Sequence, residues 1–137
     1  MARQAVSILA ASLGFATILV APAWAHHSHA AYEPVKMISV EGVVSEVRWT
    51  NPHMWIVVDV PGENGQIEKW GIEGSGTAST VSSGVSPQVL KVGAHVKILA
   101  HRSRDPQKHT ALFMGMEVDG KVYARGGGTD IRGKEEY

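Results

Sequence analysis

The sequence contains no cysteine, which excludes disulfide bonds, thiolate zinc sites, iron–sulfur clusters and cysteine nucleophiles. It also lacks an excess of either charge, because 13 lysines and arginines balance 13 aspartates and glutamates. A general nucleic-acid binder needs a basic surface to displace the counterions of phosphates, so we expect no nucleic-acid partner. Aromatic residues make up only 7% of the chain, whereas seven of its 137 residues are histidines. The histidines are therefore the first place to look for chemistry.

Familiar catalytic motifs are missing as well. The chain has no Gly-x-Ser-x-Gly nucleophile elbow, no P-loop, no His-Glu-x-x-His and no dinucleotide-binding glycine pattern after a strand. We therefore assign no catalytic residue and expect a binding protein instead of an enzyme. A copper redox activity stays open as an alternative.

The first residues are typical of an export signal. Arg3 precedes an uncharged run over residues 5–25, which ends in the small-x-small sequence Ala23-Trp24-Ala25. We predict a signal peptide over residues 1–25, cleavage after Ala25, and a periplasmic or secreted protein without an integral membrane span. Cleavage after Ala23 and an uncleaved membrane anchor are the alternatives.

The rest of the chain reads as short strands separated by turns. β-branched and alternating segments predict strands at residues 37–49, 54–60, 66–73, 95–101 and 110–118, with residues 121–124 pairing back. In the first strand the apolar face switches near residues 42–45, as a β-bulge would cause. In the fifth we expect Leu112, Met114, Met116 and Val118 to share one face. Residues 77–83 predict either a short helix or a loop.

Five strands, a bend in the first, and a weak helix between the third and fourth follow the order of the OB-fold. The predicted fold class is therefore all-β, a small five-stranded OB-like barrel over residues 37–124, with a small β-sandwich as the alternative. A histidine-rich segment, residues 26–36, precedes the barrel. A glycine-rich polar tail, residues 125–137, follows it and is predicted to be disordered.

A histidine at the mature amino terminus suits a metal ion. Cleavage after Ala25 would make His26 the first residue, whose α-amine and Nδ1 can close a six-membered chelate ring once the amine is deprotonated. Ligation by nitrogen alone favours Cu(II). The predicted metal ligands are His26, His27, His29 and His53. Cleavage after Ala23 would give a different planar Cu(II) or Ni(II) chelate, and a solvated cluster without metal is the remaining alternative.

His53 lies in a turn that proline stiffens and tryptophans flank. Aromatic rings near this turn could also stack on a flat ligand. The predicted ligand-binding residues are Trp49, Asn51, Trp55 and Trp70. They support a second function, a non-metal binding module for an envelope protein, a glycan or a small ligand. His95 and His101 are too far apart along one strand to share a metal ion and are predicted to lie on the surface.

Several motifs resemble a family of small secreted bacterial proteins known as a domain of unknown function, family 6152. They are Ala25-His26-His27-Ser28, Glu41-Gly42-x-Val44, Trp49-Thr50-Asn51-Pro52-His53, Trp70-Gly71-Ile72-Glu73, Leu90-Lys91-Val92-Gly93 and the loop from Arg102 to Asp105. The resemblance implies export and a small β-barrel, and it implies no reaction. The chain departs from the family at His29, where an aromatic residue is usual, and in the Gly/Ser/Thr-rich stretch over residues 74–86.

Overall fold

The alternating and β-branched segments form strands in the computed structural model, which describes residues 28–124. The predicted signal peptide, the predicted ligands His26 and His27, and the predicted tail lie outside the described residues. In chain order the elements are a 3₁₀ helix (Ser28–Ala31), β1 (Tyr32–Arg48), β2 (Trp55–Pro61), β3 (Ile67–Glu73), α1 (Thr77–Ser82), β4 (His95–Ser103), β5 (Thr110–Val118) and β6 (Lys121–Ala124). The first strand thus begins at Tyr32, ahead of the predicted start at residue 37.

The six strands belong to one sheet with the order β3-β2-β1-β4-β5-β6. Its neighbours run antiparallel, and a parallel pairing of β3 with β5 joins the two sides of the sheet into a ring. β6 only extends β5 as a short hairpin. This is the strand order and closure of an OB-fold barrel. The predicted all-β, OB-like class is confirmed, and a two-sheet sandwich is not what the described strands form.

A bulge in β1 lets this long strand pair with both β2 and β4 while it keeps apolar side chains in the core. The register against β2 shifts between Val44 and Glu46, which leaves Ser45 as the extra residue. Val40 and Val44 are buried before the bulge, and Val47 packs partly against the same core after it. The predicted switch of faces is confirmed, because one additional residue reverses the side on which every later side chain lies.

A second bulge, in β5, was not predicted. Leu99 of β4 pairs with Gly115, whereas the next residue, Ala100, pairs with Phe113, so Met114 has no partner on β4. The core side chains of β5 are Ala111 and Phe113 before the bulge and Met116 and Val118 after it. The prediction that one face runs from residue 112 to residue 118 is therefore wrong. An inserted residue interrupts the alternation of side chains between the two faces of a strand.

The core fills the barrel and extends under the segment between β3 and β4. The six-residue α1 forms there in spite of its weak sequence signal, and it buries Thr80. Two apolar residues that follow, Val85 and Leu90, are each 1% exposed and join the main core cluster. The helix and the loop after it thus cover the interior of the barrel.

Candidate functional site

The turn between β1 and β2 is braced against the start of α1. The Asn51 side-chain oxygen accepts hydrogen bonds from the backbone N–H of Thr77 (3.0 Å) and from the Thr77 hydroxyl (2.9 Å). The Thr50 hydroxyl donates to the His53 carbonyl across 2.9 Å, and the Asn51–Pro52 peptide bond is cis. Asn51 therefore satisfies an N–H of the first helical turn that would otherwise lack a partner.

This braced turn orients the imidazole of His53. Its Nδ1 lies 3.1 Å from the carbonyl oxygen of Gly74 and 3.5 Å from a carboxylate oxygen of Glu73. Both neighbours accept hydrogen bonds, so Nδ1 is the donor nitrogen, and in the neutral ring Nε2 then keeps its lone pair. The His53 side chain is 41% exposed. An N–H that donates to a carbonyl or a carboxylate is the usual way in which proteins orient a metal-binding histidine.

Glu73, at the end of β3, links His53 to the first strand. The hydroxyl of Tyr32 donates a hydrogen bond to the other carboxylate oxygen of Glu73 across 2.7 Å. The Tyr32 residue is 6% exposed and the Glu73 side chain 13%. Burial, followed by the hydrogen bond to Glu73 and the negative charge of that carboxylate, raises the pKa of Tyr32. Tyr32 is therefore neutral across the physiological pH range and acts as a fixed donor.

The loop between β4 and β5 holds the residues that precede β1. The backbone N–H of Arg104 donates to the carbonyl of Ala31 across 3.0 Å, and the Arg104 Nε donates to the carbonyl of Tyr32 across 3.1 Å. The 3₁₀ helix that carries His29 is thereby attached to the barrel. His29 itself is exposed and lines a cleft of about 250 Å³ beside Tyr32.

The described part of the predicted metal site is incomplete on its own. His29 and His53 both lie on segments that contact the Tyr32–Glu73 pair. However, no group of three histidine, aspartate or glutamate side chains within residues 28–124 is placed to hold a metal ion. A nitrogen-only site would therefore need at least one further ligand from the predicted pair His26 and His27, which lie outside the described range.

The predicted aromatic ligand residues do not share one surface. Trp55 pairs with Glu73 and Val58 pairs with Trp70, so alternation along β3 puts Trp55 and Trp70 on opposite faces. Trp70 packs partly against the core and stacks on the His109 ring, with centroids 5.0 Å apart and planes 4° apart. Trp49 also packs partly against the core. A ligand that stacks on one of these rings stays a prediction.

Sequence reasoning missed the residues that join these parts. Glu73, Tyr32 and Arg104 were not assigned to the site, because nothing in their spacing relates residues so far apart along the chain. The available signal was the Trp70-Gly71-Ile72-Glu73 motif, in which Glu73 now has a structural role. His101 was predicted to lie on the surface, yet its Nδ1 is buried and has no hydrogen-bond partner among the described residues.

The chain belongs to the family of unknown function DUF6152, whose model matches residues 15–112. No curated protein matches the chain.

Two crystal structures of the mitochondrial single-stranded DNA binding protein Rim1 from S. cerevisiae are similar to this chain. One has 14% identity and a TM-score of 0.46 and covers 63% of this chain and 96% of that one. The other has 10% identity and a TM-score of 0.41 and covers 63% and 95%. No helix within residues 28–124 is long and apolar enough to cross a membrane.

Proposed function

We propose that this protein is exported to the periplasm, loses residues 1–25, and there binds Cu(II) for storage or delivery. His26 supplies its α-amine and Nδ1, and two further imidazole nitrogens come from His53 and from either His27 or His29. Cu(II) heads the affinity order of the divalent ions at nitrogen sites. The proposed role is binding, and it requires no catalytic step.

The observation that carries this proposal is the contact of Glu73 with both Tyr32 and His53. One carboxylate oxygen accepts from Tyr32, and the other lies 3.5 Å from the His53 Nδ1. Tyr32 directly follows the segment that carries His29, and its side chain shares the Glu73 carboxylate with His53, whose side chain is 41% exposed. Because a protonated Nδ1 fixes the ring, His53 would bind with little reorganisation.

The alternative, a module that binds a protein, glycan or small ligand through its tryptophans, has less support. Trp55 and Trp70 lie on opposite faces, and His109 covers a face of the Trp70 ring. A broad aromatic platform is therefore not available to one flat ligand.

The test is a Cu(II) titration of protein processed by its own signal, with the mature terminus verified by intact mass. We expect one tightly bound ion per chain. One residue added ahead of His26 should weaken binding strongly, because it removes the amine from the chelate ring.

A histidine variant and a matched control test whether His53 is a ligand. His53→Gln should weaken Cu(II) binding by about tenfold or more, equivalent to about 1.4 kcal/mol. His95→Gln is the matched control, because His95 is exposed at the start of β4, where it pairs with Val43. Weak binding at many sites, unchanged by the added residue, would contradict the proposal.

A further inference from the structure

A cleft of about 250 Å³ lies between residues 29–34, which span the 3₁₀ helix and the start of β1, and the outer face of β4 and β5. It brings together two imidazoles, His29 and His101, and one thioether, Met114, next to Tyr32 and Leu112. These side chains come from three separate elements of the fold. The site proposed above uses neither His101 nor Met114.

The bulge in β5 is what adds Met114 to this cleft. His101 pairs directly with Leu112, so their side chains lie on the same face of the sheet. Met114 is the extra residue of the bulge and lines the same cleft as Leu112. Bulges commonly redirect one side chain next to a functional site. Here the bulge lets Met116 turn back into the core while Met114 faces the cleft.

One ring nitrogen of His101 makes no hydrogen bond within the described residues, and a bound ligand would give it a partner. Its Nδ1 is buried and has no hydrogen-bond partner among residues 28–124. Leaving a buried polar atom unpaired carries the full desolvation penalty of that atom, so native structures rarely keep one without a reason. An imidazole nitrogen in this state can present its lone pair to a cation.

The mixture of ligands selects the kind of cation. Within the described residues no three histidine, aspartate or glutamate side chains are placed to hold a metal ion, so a hard or borderline divalent ion lacks a ligand set here. Thioether sulfur is a soft ligand that favours Cu(I), and imidazole binds copper as well. We propose that this cleft is a Cu(I) site in which His101 and Met114 are the principal ligands and His29 is the third.

Two further features favour a cation in this cleft: the charge of Glu33 and the attachment of the 3₁₀ helix to the barrel. Glu33 lines the cleft and supplies a negative charge close to the monovalent cation. Arg104 binds the carbonyls of Ala31 and Tyr32, so the segment carrying His29 is held near the cleft before any metal arrives. This site does not depend on the amine of His26. It would give the protein places for both oxidation states of copper, with no electron transfer between them implied.

The test is an anaerobic competition for Cu(I) between the processed protein and a chromogenic Cu(I) chelator. We expect one Cu(I) per chain, with sulfur among its ligands by X-ray absorption. Met114→Leu and His101→Gln should each weaken the affinity by about tenfold or more, equivalent to about 1.4 kcal/mol. Met116→Leu is the matched control, because it makes the same change in a methionine that is fully buried in the core.

The pattern of results decides the matter. Absence of Cu(I) binding, retention of affinity in Met114→Leu, or an equal loss in Met116→Leu would each overturn the proposal. One residue added ahead of His26 separates this site from the Cu(II) site. It should abolish tight Cu(II) binding and leave the Cu(I) affinity unchanged, so failure of one proposal is visible without failure of the other.

Discussion

Tyr32 and Glu73 are 41 residues apart in the chain, and a 2.7 Å hydrogen bond joins their side chains at the edge of the barrel. Tyr32 pairs with Ser103 on β4, and Glu73 pairs with Leu112 on β5. The bond therefore ties the beginning of β1 to the end of β3 across the strands between them. Because His53 lies against the same carboxylate, the bond also affects the turn that carries the proposed metal ligand.

Removing this hydrogen bond should destabilise the fold. Tyr32→Phe deletes the donor and leaves the partly buried Glu73 carboxylate with one partner fewer, which should lower the free energy of unfolding by about 1–3 kcal/mol. Urea denaturation followed by tryptophan fluorescence measures the change. Tyr123→Phe is the control, because it removes the same atom from a ring that packs on the core. Equal losses in the two variants would contradict the role assigned to the Tyr32–Glu73 bond.

Stability should also fall at alkaline pH. The pKa of Tyr32 is higher in the folded protein than in the unfolded chain, so the folded state retains a proton that the unfolded state has lost. The stabilisation is complete below the unfolded value of about 10 and declines as the pH rises above it. Denaturation curves between neutral pH and pH values above 10 measure this slope. Tyr32→Phe should have a shallower slope than the wild type, and an identical slope would refute the assignment.

Asn51 should matter as a helix cap. Asn51→Ala leaves the Thr77 N–H without its acceptor and should cost about 0.5–2 kcal/mol of stability. Asn51→Asp keeps an acceptor oxygen in the same place and should be close to the wild type. Thermal unfolding by circular dichroism compares the three proteins. If both variants lose the same stability, the capping bonds are not the cause.

Gly71 should resist substitution because of Trp55. A Cβ at position 71 would meet the Trp55 ring, with one ring carbon at only 3.0 Å, so Gly71→Ala should cost about 1–3 kcal/mol. The loss should shrink when Trp55 is first replaced by leucine, because the smaller side chain leaves room. A double-mutant cycle measures this coupling. Full additivity would show that the ring is not the obstacle.

The sequence was a good guide wherever the evidence was local. The fifth and sixth strands occur at the predicted residues, and the Ser45 bulge follows from a visible change in the apolar pattern. The Met114 bulge gave no such signal, because Leu112, Met114, Met116 and Val118 are all apolar whichever way they face. Pairing with Leu99 and Ala100 decides the outcome, and that pairing is a property of the tertiary structure.

The candidate site also has parts that the sequence predicted and parts that it did not. The sequence predicted His53 as a ligand because of its rigid turn. The hydrogen-bonding role of its Nδ1 could not be predicted, since it is set by Gly74 and Glu73, which the pairing of β2 with β3 brings close. The buried Nδ1 of His101 could not be foreseen either, since alternation predicted only that His101 lies on the outer face. His101 lines a cleft with His29 of the segment before β1, and the distant Arg104 holds that segment in place.

The parallel pairing that closes the barrel is short. It joins Gly71 to Thr110, Ile72 to Ala111 and Glu73 to Leu112, whereas eight of the nine residues of β4 pair with β1. Breaking these few ladder bonds opens the ring while the antiparallel strands remain paired. Amide protons along this seam should therefore exchange with deuterium sooner than those shared by β1 and β4. Since Glu73 is the last residue of this pairing and also contacts His53, opening of the barrel and movement of the His53 ring would then share one time scale.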